Sequence, residues 1–434
     1  MRLHLLRAFG SRNFRLFFAG QSVSLVGTWM QQVAVAWLVY RLTGSAVLLG
    51  VVSFAGQIPA FFCSPLAGVF ADRWNRRRLL LWTQGLAMVQ ATLLASFVFA
   101  GTIQVWHLVV FNALLGIINA FDIPVRQSLV VEMVDKKEDL PNAIALNSSM
   151  VNSARLIGPS LAGILIAAVG EEICFLINAV SYLAVLLAIG AMRLAPAAPR
   201  QNRKHVLLEL RAGFGYAFGF TPIRAILLLI ALVGLVGMPY SVLLPVFARE
   251  VLHGGAETFG FLMTAAGLGA LASTIFLASR RSVVGLGRVM VIATALFGLG
   301  LIGLAFSRLL PLSLAFIALG GFGAMALIAS SNTIIQTIVE DEMRGRVMSL
   351  FTMAFLGMTP LGSLAAGALA DSIGPTTTLV AGGFSCLAAA AVFASRLPTL
   401  RQLVHPIYVR MGIIPEVAKG LQTASDLFVP PEKP

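Results

Sequence analysis

The chain has 434 residues, of which 58% are hydrophobic and only 11% charged, with a mean hydropathy of +0.89. Soluble domains carry about 25% charge, so this composition excludes a set of water-soluble domains and leaves a bilayer as the solvent. The net charge of +13 does not indicate nucleic-acid binding, because the cations sit in alternate loops and not on one face.

A helix needs ~20 apolar residues to cross a membrane, and the sequence holds twelve such stretches. The N-terminus is basic (Arg2, Arg7, Arg12, Arg15), but a full-length apolar span follows without a small-residue cleavage site. It reads as a retained first helix with its start inside the cell, not as a signal peptide. The first six spans run over about 14–40, 45–71, 79–100, 105–133, 141–169 and 172–193, by continuous apolar run and flanking charge. The polar, basic stretch from Arg193 to Arg224 then divides the chain nearly in half. Spans seven to twelve run over about 223–248, 256–279, 288–307, 311–339, 346–370 and 374–396, before a polar tail. The domain reading is therefore an N-terminal bundle (1–193), an inside linker (194–222), a C-terminal bundle (223–397) and a tail (398–434). With loops assigned alternately, the outside cations are few: Arg41, Arg249 and Arg308. This asymmetry predicts a multi-pass protein of a bacterial-type cytoplasmic membrane with both termini cytoplasmic. Cys63, Cys174 and Cys386 lie in apolar runs with neither disulfide nor metal-ligand spacing.

The two halves resemble each other. Gly158-Pro159-Ser160-Leu161-Ala162-Gly163 in span five aligns with Gly362-Ser363-Leu364-Ala365-Ala366-Gly367 in span eleven, at an offset of 204 residues. Glu138 and Glu342 share that offset. Two parallel six-helix repeats place a substrate site between them near the midplane, the layout of an alternating-access carrier.

Between spans two and three lies Gly68-Val69-Phe70-Ala71-Asp72-Arg73-Trp74-Asn75-Arg76-Arg77-Arg78. An acid followed by four cations between apolar runs is a short loop at the cytoplasmic face. It resembles the loop between helices 2 and 3 of the major facilitator superfamily, Gly-x-x-x-Asp-Arg-x-Gly-Arg-Arg/Lys, through Gly68, Asp72, Arg73, Arg76 and Arg77. Asn75 replaces the usual glycine and is the other residue type that tolerates positive φ. The resemblance implies an all-α fold of twelve transmembrane helices in two pseudo-symmetric bundles. It also implies a conformational latch, in which Asp72 meets the N-terminus of span eleven when the carrier faces outward. Arg76 or Arg77 is placed to reach Glu132 at the end of span four. Gly158, Pro159 and Gly163 resemble the family's antiporter motif, with Ala154 and Ala162 in place of two glycines, and that motif implies export. Asn112 stands where the drug–proton antiporter branch carries an arginine. Asp122-x-Pro124-x-Arg126 is instead similar to the exporter branch that includes macrolide efflux proteins and enterobactin-type siderophore exporters.

Ionisable residues inside spans are costly, and so are candidates for function. Asp122 lies eleven residues before Met133, and Arg155 thirteen after Asn142. Both therefore sit roughly 16–20 Å from the inner boundary, at 1.5 Å per residue. Asp122 and Arg126 are spaced i,i+4, so one acid faces two arginines, and Asp122 is the candidate for proton coupling. A static pair that only neutralises buried charge is the other reading. Gln21, Thr28, Trp29, Gln32, Asn112, Asn152, Tyr240, Asn332 and Gln336 are candidate substrate-cavity residues, beside Gln31 and Asn178; helix–helix hydrogen bonding is the competing role for each. The glycines around 267–269 and 320–323 lie mid-span with no adjoining Lys-Ser/Thr, so they read as packing residues and not phosphate loops. No nucleophile–base set or ATP motif is present, which predicts a non-enzymatic carrier without cofactor. Its expected partners are protons, membrane lipid and an amphipathic small molecule, and the expected state is a monomer. A lysophospholipid flippase of the same fold, or a receptor acting through its tail, fits the same composition.

Overall fold

The computed structural model describes residues 6–193, 206–280 and 282–413, with side chains described outside 64–73 and 206–211. Among the described residues, twelve helices are long and apolar enough to cross a bilayer. Spans 1–6 are Arg12–Thr43, Ala46–Arg73, Arg76–Phe99, Val105–Val130, Leu140–Val169 and Glu171–Ala191. Spans 7–12 are Thr221–Val251, Ala256–Ala278, Leu286–Phe306, Leu310–Ile338, Asp341–Ile373 and Pro375–Arg410. Helices form because a lipid-solvated backbone must satisfy its own hydrogen bonds. An even number of crossings puts both described ends of the chain on one face, here called proximal; the opposite face is distal.

The internal repeat is visible in the packing. In the first half span 1 packs on spans 5 and 6, and span 2 on span 4; in the second, span 7 packs on spans 11 and 12, and span 8 on span 10. The halves meet through spans 2 and 11 and through spans 5 and 8, which exchange under the repeat. The glycines at the 204-residue offset do equivalent work. A Cβ on Gly158 would strike Trp29 and Val26 of span 1, and one on Gly362 would strike Leu235 and Pro239 of span 7. One on Gly163 would meet the backbone at Ala256, the first residue of span 8; one on Gly367 would meet Ala46, the first residue of span 2. Both interfaces between the halves therefore close backbone to backbone at their distal ends, where small residues permit the approach. The sharp reversals after spans 5 and 11 are also equivalent: Gly170 and Gly374, again 204 apart, have φ of 93° and 86°, a region that glycine enters without strain. The mid-span glycines pack helices as expected, Gly321 against Ala266 and Gly323 against Ala293.

Four local features differ from the sequence-based expectation. Span 7 is not one continuous helix: it stops at Val236, turns through Gly237-Met238-Pro239, restarts at Tyr240 and ends in a π turn over Phe247–Val251. Proline removes a backbone donor there, and the adjacent glycine lowers helix propensity. The second part of the linker is a helix, Val206–Gly219, seated on span 11, where Gly213 abuts Arg346. Span 12 runs past the expected boundary at 397 to Arg410, through Pro398 and Pro406, because Leu400 and Val404 bury one face of the extension. Asn75 does not take positive φ: it is extended (φ −66°) and caps span 3 by accepting from the Arg78 N–H at 3.1 Å, a role asparagine fills well.

Candidate functional site

A cavity of about 570 Å³ lies at mid-depth between the halves, and its two walls are chemically unlike. The N-terminal half contributes Thr28, Trp29, Gln31 and Gln32 from span 1, Ser53 and Gln57 from span 2, Asn112 and Asn119 from span 4, and Arg155 from span 5, interleaved with apolar groups such as Val33, Val39, Val52 and Leu115. The C-terminal half contributes mainly apolar and small groups, including Met238, Met263, Met325, Phe259 and Phe355, with Tyr240, Ser241 and Thr359 as its polar members. The break in span 7 presents Met238, Tyr240 and Ser241 to this cavity. Discontinuous helices with freed backbone groups occur at transporter sites for this reason. Arg155 is the only charged residue among the described lining, and its guanidinium carbon lies 5.4 Å from the centre of the Trp29 ring.

Asp122 does not line the cavity. It is 3% exposed, between spans 3 and 4. Its Oδ1 accepts from Thr83 Oγ1 at 2.8 Å and from Gln84 Nε2 at 2.7 Å, and its Oδ2 faces Arg126 Nε at 3.7 Å. The structure thus brings Asp122 and Arg126 together and sets Arg155 apart, over Trp29. Equal depth did not produce contact, because depth along a helix says nothing about which side faces a neighbour. The Gln84 Oε1 atom is buried and has no hydrogen-bond partner.

At the proximal face Arg76 pairs with Glu132, joining spans 3 and 4. Arg77 instead donates to the carbonyls of Ile189 and Gly190 at the end of span 6, at 3.1 and 2.7 Å. Span 2 continues to Arg73, but the side chains of Gly68, Asp72 and Arg73, and with them the expected latch contact, lie outside the described residues. At the distal face, contacts join the two halves directly. Tyr40 donates to Glu250. Asp371, at the end of span 11, accepts from Ser45 Oγ and the Ala46 N–H, each at 2.9 Å, at the start of span 2. A carboxylate is stabilised there by free N–H groups and the helix dipole. Within the N-terminal half, Arg41 and Glu171 pair at 2.7 Å on the same face.

Residues 6–413 match the family described as transmembrane secretion effectors. The chain belongs to that family. It is 28% identical to the staphyloferrin A transporter of Staphylococcus aureus over 381 residues, 87% of this chain and 95% of the relative. It is 27% identical to the multidrug efflux pump Tap of Mycobacterium tuberculosis, covering 89% and 91% of the two chains. With macrolide efflux protein A of Streptococcus pyogenes the identity is 23%, over 83% and 90%. Solved structures share the fold: a peptide transporter POT superposes with a TM-score of 0.72 at 13% identity, covering 90% of this chain and 95% of that one. The nucleoside transporter NupG superposes with 0.68 at 15%, covering 92% and 99%. The protein is therefore a multi-pass carrier of the major facilitator superfamily, of the efflux and secretion type.

Within this secretion effector the sequence-based cavity set divides. Thr28, Trp29, Gln32, Asn112 and Tyr240 line the cavity, whereas Gln21, Asn152, Asn332 and Gln336 do not. Gln21 is buried in the proximal part of span 1. Asn152 donates to the Ser148 carbonyl, and Gln336 donates to Asn332 near the end of span 10. Gln31 lines the cavity and also ties spans together, donating to Gln90 and accepting from Asn178. Sequence reasoning missed Ser53, Gln57, Asn119, Ser241 and Thr359. Asn119 was recoverable: it follows Asn112 by seven residues, two helical turns, and so shares its face. Gln57 follows Ser53 by four. Thr359 is the 204-offset counterpart of Arg155.

Proposed function

We propose that the protein exports amphipathic small molecules by alternating access, exchanging them for protons across a cytoplasmic membrane whose inner side is the proximal face. The observation that carries this reading is the mixed lining of the cavity: amides, hydroxyls and a guanidinium are concentrated on the N-terminal half, among valine and leucine side chains, and the C-terminal half is mainly methionine, aromatic and small groups. A molecule with a polar side and an apolar side satisfies both walls; a purely polar solute leaves the second unused. Flexible, polarisable methionines accept varied apolar shapes. The relatives named as a staphyloferrin A transporter, a multidrug efflux pump and a macrolide efflux protein support a small-molecule substrate, and the latter two support the direction.

At the distal face hydrogen bonds of Glu250 and Asp371 join the two halves, which supports reading that side as the closed one. Loading takes place from the proximal side, and release requires the contacts of Glu250 and Asp371 to part.

Asp122 is the proposed proton site. When ionised it accepts from Thr83 and Gln84 and pairs with Arg126, as observed. When protonated it gains a donor and gives up its attraction to Arg126. Both flanking groups serve either form, since a hydroxyl and an amide each donate and accept; the unpartnered Gln84 Oε1 supplies the acceptor that the acid requires. Arg126 is then freed to respond to the proton's arrival.

The test is transport into energised everted vesicles of a panel of cationic, neutral and anionic amphiphiles, read by mass spectrometry with and without an uncoupler. Uncoupler-sensitive accumulation that disappears in Asp122→Asn, with folding intact, is expected. Accumulation indifferent to both overturns proton exchange.

A further inference from the structure

We propose that Arg155 is the specificity-determining residue of the cavity and that the preferred substrates are amphiphiles carrying an anionic oxygen group, a carboxylate above all. The proposal rests on the export reading only in taking the central cavity as the substrate site.

Two arginines lie within consecutive membrane spans, and they are treated oppositely. Arg126 faces the Asp122 carboxylate, and its side chain is 17% exposed. Arg155 is exposed to the cavity and makes neither an ion pair nor a hydrogen bond among the described residues. A charge at membrane depth is costly unless it is paired or faces a water-filled space. A site that only needed to fill this position would place an aliphatic residue there. The indole of Trp29 lies against the guanidinium, an arrangement that orients the cation without neutralising it or using its N–H donors. Those donors match the two oxygens of a carboxylate. Asn112, Asn119 and Gln32 line the same wall, and their amide N–H groups supply further hydrogen bonds around such a head group. No acidic residue is among the described lining of the cavity. A cationic amphiphile therefore meets an uncompensated like charge, which selects against it, while Met238, Met263 and Met325 receive the apolar body of an anionic one.

The test separates recognition from transport. Purified protein in detergent is titrated with two fluorescent probes that differ only in the head group, N-dansyl-phenylalanine and its neutral amide. Wild type is expected to bind the carboxylate about tenfold or more tightly than the amide, the effect of one charged hydrogen-bonded pair. Arg155→Gln is expected to erase that preference while amide affinity changes less than about twofold, which also shows that the variant is folded. Arg155→Lys retains the charge but not the planar fork, so about threefold preference should remain. The amide binding of this variant supplies the folding control should Arg155→Gln not be recoverable. Equal binding of the two probes by wild type, binding of neither, or a preference that survives Arg155→Gln overturns the proposal. Selective binding without accumulation in everted vesicles upholds it and defeats the export reading instead.

Discussion

The two walls of the cavity descend from one repeated unit, yet they differ in the property that matters for a ligand. Their frames are alike: Gly158 and Gly163 contact spans 1 and 8 as Gly362 and Gly367 contact spans 7 and 2. Their linings are not alike. At one equivalent pair of positions the N-terminal half places Arg155 and the C-terminal half Thr359, both facing the cavity. On the proposed alternating-access reading, rocking one half against the other needs matched crossings, which the small residues supply in both repeats. Substrate recognition needs no symmetry, and the polar groups of the lining are concentrated on the N-terminal half.

Experiments can break or sharpen this contrast. The largest effect is expected from Asp122→Asn, which removes the acid buried between spans 3 and 4: uncoupler-sensitive accumulation should fall about tenfold or more, a loss of ~1.4 kcal/mol or more in effective coupling. Next come Gly163→Leu and Gly367→Leu. Each drives a side chain into backbone at the distal crossing, at a cost of about 1–3 kcal/mol, and should leave the distal side of the cavity open to membrane-impermeant thiol reagents on cysteine-substituted protein. Gly85→Leu, a site with no atom within 4 Å of the added Cβ, is the control and should behave as wild type. If both crossing variants transport normally, the symmetric frame is not the moving part. Third, Thr359→Arg in an Arg155→Gln background moves the cation to the other wall. Anion preference should return to about a third of its original value, since the charge is restored without its Trp29 support. Met263→Ala should weaken long apolar probes about fivefold, about 1 kcal/mol, and leave head-group preference unchanged. The smallest effect belongs to Tyr40→Phe, which removes one hydrogen bond to Glu250. It should shift the equilibrium away from the distally closed state by about threefold, from the ~0.5–1.5 kcal/mol of a single bond, measured as the rate of distal-side labelling.

Much of the architecture was legible in the order of residues. Apolar length set the twelve spans, because a bilayer demands about 20 residues per crossing. The 204-residue offset announced the repeat, and Arg76–Glu132 followed from two charges at adjacent loop ends. Cost in lipid marked Asp122, Arg126 and Arg155 as exceptional. The choice of partner did not follow. Arg155 and Asp122 share a depth, but rise per residue fixes depth alone; the direction a side chain faces depends on how each helix is rotated against its neighbours. Gln84, which holds Asp122, carries no charge, so nothing in lipid energetics singled it out. The break in span 7 was marked only by Gly237 and Pro239, residues that many continuous membrane helices also tolerate. Composition and hydropathy thus determined that the chain crosses a membrane twelve times in two repeats and buries one acid between cations. Only tertiary packing decided that the acid is enclosed in one half while Arg155 stands open at the centre, because that outcome depends on contacts among helices far apart in the chain.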